Sequence, residues 1–158
     1  MDEQTTPPFP NPLLDEQLCF ALCRASRAIT RSFTRRLDHL GLNHSQYLVM
    51  LVLWEEDGLA ASRIAARVNL DPSSLTPILK YLETINLIRR VRPKDNQRTV
   101  LVQLTRSGRS LQPDTAAIQK AVAEATGLSR DEVAVLRGTL HKLADALQKQ
   151  EQEEISVA

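Results

Sequence analysis

Aromatic residues are scarce: Phe, Tyr and Trp together make up 4% of the 158 residues. Leu, Ala, Val and Ile must therefore fill the core, which suits packed helices better than an all-β sandwich. Cysteine is scarcer still. The two present, Cys19 and Cys23, lie four residues apart. On one helix their Cβ atoms would sit about 5–6 Å apart, against roughly 3.8 Å in a disulfide. They are not expected to bridge each other, and nothing indicates a secreted disulfide scaffold. No apolar run reaches the length of about 18 residues that a membrane span needs. Residues 1–12 lack the basic start and apolar stretch of a secretory signal. Together these absences point to a cytoplasmic chain. No metal-ligand cluster, Gly-rich phosphate loop or Ser/His/Asp set stands out, so no cofactor, metal or catalytic residue is expected. The net charge of +1 does not by itself select a partner.

Enough apolar residues are present, 42%, to bury a real core, and the length suits one domain. The prolines at 7, 8, 10 and 12 mark residues 1–12 as a flexible arm. Charge is uneven along the chain. Over residues 63–109, ten basic residues stand against three acids, Asp71, Glu83 and Asp95; from residue 110 onward, five basic residues face eight acids. A basic middle between more neutral ends is the footprint of a polyanion-binding surface.

Periodicity and punctuation predict the elements. Residues 14–40 read as one long helix, stopped by Gly41 in the left-handed conformation. Asn43 and Gln46 form a capping box for a second helix, with a buried stripe of Tyr47, Met50, Leu51 and Trp54. Asp57-Gly58 ends it. A short helix over 62–68 points Ile64, Ala65 and Val68 inward. After a turn at 69–74 comes an amphipathic helix to about residue 85, with Leu75, Ile78, Leu79 and Leu82 on one face. Its N-cap is expected at Ser73 or Ser74, which leaves Pro77 in the first turn, where a proline is tolerated. The period then changes. Residues 88–92 and 99–104 are short β-rich runs around a polar tip at 93–98, a hairpin or wing. Thr105 can cap a helix to about residue 126, bent near Pro113. Ser129 and Glu132 form a second capping box. In the last helix Val133, Leu136, Leu140, Leu143 and Leu147 repeat like a short coiled-coil seam.

Short helix, turn, amphipathic helix and basic hairpin is the order of a winged helix-turn-helix. A helix about 10–12 Å across fits the major groove of duplex DNA. The face offered here carries Ser73, Ser74, Thr76 and Lys80: hydroxyls for base edges or phosphates, and a cation for phosphate. Arg98 near the wing tip can enter the minor groove, where the potential is most negative. Asp95 is expected to order the loop by pairing with Arg98 or Lys94. Arg89, Arg90 and Arg92 on the first wing strand are expected to neutralise phosphates.

The segments "LDPSSLTPILKYLE" and "NLIRRVRPKDNQRTVLVQLT", with the "SG" that follows, resemble the MarR family of bacterial regulators. "LCFALCRASRAITRSF" and "LGLNHSQYLVMLVLWE" resemble its organic hydroperoxide-sensing (OhrR-like) branch. The resemblance covers nearly the whole folded chain. It implies a mainly α fold with a small β-hairpin wing, built as a winged helix-turn-helix lobe plus a helical dimerisation region. Residues 13–150 then form one domain: 13–42 and 106–150 supply dimerisation helices and 43–105 the DNA-binding lobe, with 151–158 a tail. It further implies a homodimer on a pseudo-palindromic operator in double-stranded DNA. In that branch the cysteine matching Cys19 is oxidised to a sulfenic acid, which releases the DNA. Cys19 would lie in the first turns of its helix, near the positive end of the dipole, where the reactive anionic form of a thiol is favoured. The effector would be an organic hydroperoxide, with a small thiol able to close a mixed disulfide. The branch usually has tyrosines around the sensor; here Phe33 and His44 stand instead, and Cys23 occupies a position where an aromatic is common. His44, as imidazolium, is the one of these able to support the thiolate.

Three other readings follow from the same residues. A repressor released by a small aromatic ligand would leave Cys19 as an inert small hydrophobe. A thiol peroxidase would need an activating motif beside Cys19, where only Arg24 and Arg27 are near. A protein-interaction winged helix would never touch DNA and would lack steep salt dependence.

Overall fold

A computed structural model describes residues 13–157 of the chain. The expected arm at 1–12 lies outside the described residues. The described residues are mostly helical with one small three-stranded antiparallel sheet, the mainly α architecture expected. The chain divides into two compact units, the first ending at Ile118 and the second beginning at Gln119.

In the first unit the expected long N-terminal helix is three pieces. A 3-10 turn at Leu14–Glu16 precedes helix α1, Leu18–Leu37, and a second 3-10 turn, Asp38–Leu40, follows it. Extended backbone at Gln17 makes the first break. Gly41 has φ 69° and turns the chain in the left-handed region, as expected. Helix α2, His44–Glu55, opens on the predicted capping box: the Gln46 N–H donates to Asn43 Oδ1 at 2.9 Å, and the Asn43 N–H to Gln46 Oε1 at 2.8 Å. The expected one-sided stripe is replaced by burial almost all round. Gln46, Tyr47, Val49, Met50, Val52 and Leu53 are buried, and Leu51 and Trp54 are half-buried. The reason is position: α2 is packed against α1, two later helices and a strand, so little of it is left to solvent.

Strand β1, Leu59–Ala60, leads into helix α3, Ala61–Val68, whose buried residues are Ile64 and Ala65. Asn69 turns the chain at φ 54°. Helix α4 runs Pro72–Thr84 and starts earlier than expected. Its N-cap is Asp71, not Ser73 or Ser74, because Pro72 takes the first helical position; the fixed φ and missing N–H of proline suit that place. Pro77 therefore falls in the second turn, where it removes the N–H that would bond to the Ser73 carbonyl. Leu75, Leu79 and Leu82 are buried.

Strands β2, Ile88–Val91, and β3, Leu101–Leu104, form the wing, with Ile88 opposite Leu104 and Val91 opposite Leu101. Strand β1 is an addition to the expected hairpin: it pairs with β3 through Leu59↔Val102 and makes the sheet order β1-β3-β2. Two residues carry no periodicity to detect. Thr105 caps helix α5, Arg106–Ser110, by accepting the Gly108 N–H at 3.0 Å. The next helix, α6, Gln112–Ala125, is separate from α5. Pro113 breaks the helix rather than bending it, since it sits in the first turn of α6.

In the second unit, Ser129 and Glu132 form the predicted box: the Ser129 N–H donates to the Glu132 carboxylate at 2.8 Å and the Glu132 N–H to Ser129 Oγ at 3.2 Å. These bonds hold the Glu132 carboxyl below the usual range. Helix α7 spans Arg130–Val157, so residues 151–157, set apart above as a tail, continue the helix. On its seam, Val133 and Leu143 are half-buried and Leu136, Leu140 and Leu147 are exposed.

Candidate nucleic-acid interface

Burial of Leu75, Leu79 and Leu82 turns the opposite side of α4 outward. Helical geometry puts Ser73, Pro77, Lys80 and Thr84 at the centre of that face, flanked by Ser74 and Thr76. Ser73, Ser74, Thr76 and Lys80, the residues of this helix expected to meet DNA, are all exposed. Thr76 is partly committed: its hydroxyl donates to the Pro72 carbonyl at 2.8 Å. It is left as an acceptor, suited to a base amino group and not to a phosphate. Tyr81 was not anticipated. Its hydroxyl donates to the Gly41 carbonyl at 2.8 Å and ties α4 to the turn between α1 and α2.

At the wing, Lys94, Asp95 and Arg98 are exposed. Among the described residues Asp95 forms no ion pair with Lys94 or Arg98, so the expected ordering of the loop by Asp95 does not occur. Asn96 does that work: its Oδ1 accepts the Arg98 N–H at 3.2 Å. Arg92 Nη1 donates to the Gln97 carbonyl at 2.9 Å and braces the same loop. The root of the wing is held by Asp57, also unanticipated. One carboxylate oxygen accepts the N–H of Leu104 at 2.7 Å and of Gly58 at 2.8 Å, and the other pairs with Arg109. Trp54 adds a bond from Nε1 to the Gly108 carbonyl at 2.9 Å.

Arg90 differs from expectation. Instead of standing free for phosphate, its guanidinium donates from Nε and Nη2 to Glu83 Oε2 at 2.9 and 2.7 Å. Its backbone N–H donates to Glu83 Oε1 at 3.0 Å. Hydrogen bonding from Arg90 holds the Glu83 carboxyl below the usual range. No local sequence signal marks this pair, because it joins the last turn of a helix to a strand.

The candidate redox residues do not gather in one chain. Cys19 and Cys23 are both exposed on α1. Phe33 and His44 do meet, with ring centroids 5.2 Å apart, and Phe33 also stacks on Tyr47 at 5.4 Å. Cys19 is on the same helix as Phe33, fourteen residues earlier, roughly 21 Å along the axis at 1.5 Å per residue. Burial pushes the pKa of His44 below its ordinary value. It is therefore a neutral imidazole near pH 7, not the imidazolium expected to support a thiolate.

A hydroxyl-bearing helix seated on two others, followed by a sheet whose basic hairpin projects beside it, defines a winged helix-turn-helix DNA-binding domain. Comparison with known proteins gives the family. Residues 31–114, more than half of the chain, match the family of transcriptional regulators SarA/Rot. The regulator TtmR of Methylorubrum extorquens is 41% identical over 134 residues, 85% of this chain and 69% of that protein. The organic hydroperoxide resistance transcriptional regulator of Bacillus subtilis is 33% identical over 139 residues, 88% of this chain and 95% of that protein. Among solved structures, reduced AbfR bound to DNA superposes with a TM-score of 0.74 at 29% identity, covering 87% of this chain and 94% of that one. The chain belongs to the SarA/Rot family of MarR-like winged-helix regulators, and is a DNA-binding transcriptional regulator.

Proposed function

We propose that this regulator is a cytoplasmic, homodimeric repressor that leaves a pseudo-palindromic operator when an organic hydroperoxide oxidises Cys19. The observation that carries the reading is the state of α1. Cys19 is its second residue and is exposed, and apolar side chains of the same helix, the adjacent Leu18 and the more distant Ile29, are 62% and 43% exposed in the single chain. A surface of this kind calls for a second subunit. A thiol at its edge turns oxidation into a change of packing. In the reaction the Cys19 sulfur attacks the outer oxygen of ROOH, the S–O bond forms as O–O breaks, and the alcohol ROH departs. Sulfur is oxidised to a sulfenic acid and the peroxide is reduced. A polar sulfenic acid, or its mixed disulfide with a small thiol, disfavours the apolar seam and biases the pair of lobes away from DNA. The name of the Bacillus subtilis relative supports this oxidant class.

On DNA, Ser73, Ser74, Thr76 and Lys80 meet the major groove, Arg98 and Lys94 the minor groove and adjacent phosphates, and Arg90 a phosphate. The test is binding to the duplex upstream of the protein's own gene, with and without cumene hydroperoxide. Wild type should release the duplex on oxidation and Cys19→Ser should hold it. Release from Cys19→Ser would overturn the sensing role.

A second reading is favoured by one observation. Phe33 and His44, both half-buried, pack together over the buried Tyr47 with no charge near pH 7, an aromatic wall suited to a small aromatic effector. In that case Cys19→Ser remains inducible, and the inducer is a ligand instead of an oxidant. Neither reading requires turnover: a peroxidase assay should find peroxide consumed once per thiol.

A further inference from the structure

Strand β2 lies at the edge of the sheet, so the outward N–H of Arg90 has no strand to pair with. Glu83 supplies the missing acceptor from the last turn of α4, and the same carboxylate takes two donors from the Arg90 guanidinium. Both side chains are only about one-third exposed, 36% for Glu83 and 35% for Arg90. The pair is thus more sheltered than an ordinary surface ion pair, whose value is small. Beside it, Glu83, Arg90, Arg92 and Val100 line a concavity of about 430 Å³ between the end of α4 and the wing. Of the five N–H donors a guanidinium carries, Glu83 engages only those on Nε and Nη2.

We propose that this concavity receives one backbone phosphate of DNA, and that Glu83 is the positioning residue that aims Arg90 at it and pins the wing to α4. The proposal rests on the DNA-binding reading and deepens it. Between a helix in the major groove and a wing at the minor groove, a sugar-phosphate strand must pass. The cleft with two arginines is where this chain leaves room for it. A carboxylate beside a polyanion is unfavourable as a bare charge. Its place here is explained by what it holds: the direction of Arg90 and the distance from α4 to the wing.

Charge and positioning predict opposite signs. If Glu83 acts only as a negative charge, removing it tightens DNA binding; if it positions Arg90, removing it weakens binding. The experiment measures affinity for a mixed-sequence duplex at low salt, and its salt dependence, for wild type, Glu83→Gln, Glu83→Ala, Arg90→Ala and the double alanine variant. Glu83→Ala should weaken binding about threefold or more, and Arg90→Ala should cost about fivefold in the wild type but less than about twofold once Glu83 is gone. Glu83→Ala should also reduce the slope of log affinity against log salt by about one, as for a lost phosphate contact. Glu83→Gln keeps the side-chain shape and an acceptor for the Arg90 N–H. It should fall between wild type and alanine, and it carries the test if Glu83→Ala does not fold. Equal or tighter binding by both Glu83 variants, or the same cost of Arg90→Ala in both backgrounds, overturns the proposal while DNA binding stands. A wild type without salt-dependent duplex binding overturns both.

Discussion

A Cβ on Gly108 would stand 2.1 Å from the Leu87 carbonyl oxygen and 3.2 Å from a methyl of Leu104. Because the closest atom is backbone, the clash cannot be relieved by a rotamer change. Gly108→Ala should therefore destabilise the fold by about 2–4 kcal/mol in urea titration. The carbonyl of the same residue accepts the Trp54 Nε1–H. Trp54→Phe leaves it without that donor and should cost about 1–2 kcal/mol. His44 gives a pH signature. Its folded pKa lies below the ordinary value of 6.5 because burial disfavours the cation. Above that value both folded and unfolded chains hold a neutral ring, and stability does not depend on this group. As pH falls below it, the unfolded chain takes up the proton first, so stability declines until the folded pKa is passed. The melting temperature should drop on going from pH 7 to pH 5.5, and His44→Gln should flatten that segment of the curve.

At the scale of elements, α4 is the compromised one. Pro77 in its second turn leaves the Ser73 carbonyl without a helical donor. Pro77→Ala restores that N–H at an exposed position, and should stabilise the protein by about 1–3 kcal/mol, visible as a higher urea midpoint with unchanged slope. By contrast, α2 is closed by a complete capping box, and Asn43→Ala should cost about 1 kcal/mol. The wing gains its rigidity at both ends: Asp57 grips the last residue of β3 at the root, and Arg92 and Asn96 brace the tip. Arg98 thus projects from a held loop. Arg98→Ala should lower DNA affinity for all sequences and reduce the salt slope by about one.

At the scale of the molecule, apolar side chains are exposed among the described residues on α1, at Leu18 and Ile29, and on α7, at Leu136, Leu140 and Leu147. The proposed dimer covers them and sets two α4 helices at a common spacing. Leu136→Glu combined with Leu140→Glu should yield a monomer by sedimentation. It should also weaken operator binding by about 100-fold or more, because the second half-site contact is no longer intramolecular.

Features that depend on near neighbours were legible in the chain. Both capping boxes, the turn at Gly41, the Thr105 cap, the buried row of α4 and the basic hairpin all follow from residues within a few positions of one another. So did the family, because its motifs are local strings. Folding in three dimensions set the start of the interface helix, the extensive burial of α2, the strand β1, the Asp57 grip on the wing and the capture of Arg90 by Glu83. The start of α4 depended on which of several competing cap residues and prolines prevailed. The others join segments from 7 to 52 residues apart, and such contacts leave no period in the chain: their partners meet only once the hydrophobic core has closed and brought edge strand, helix end and turn within hydrogen-bonding distance.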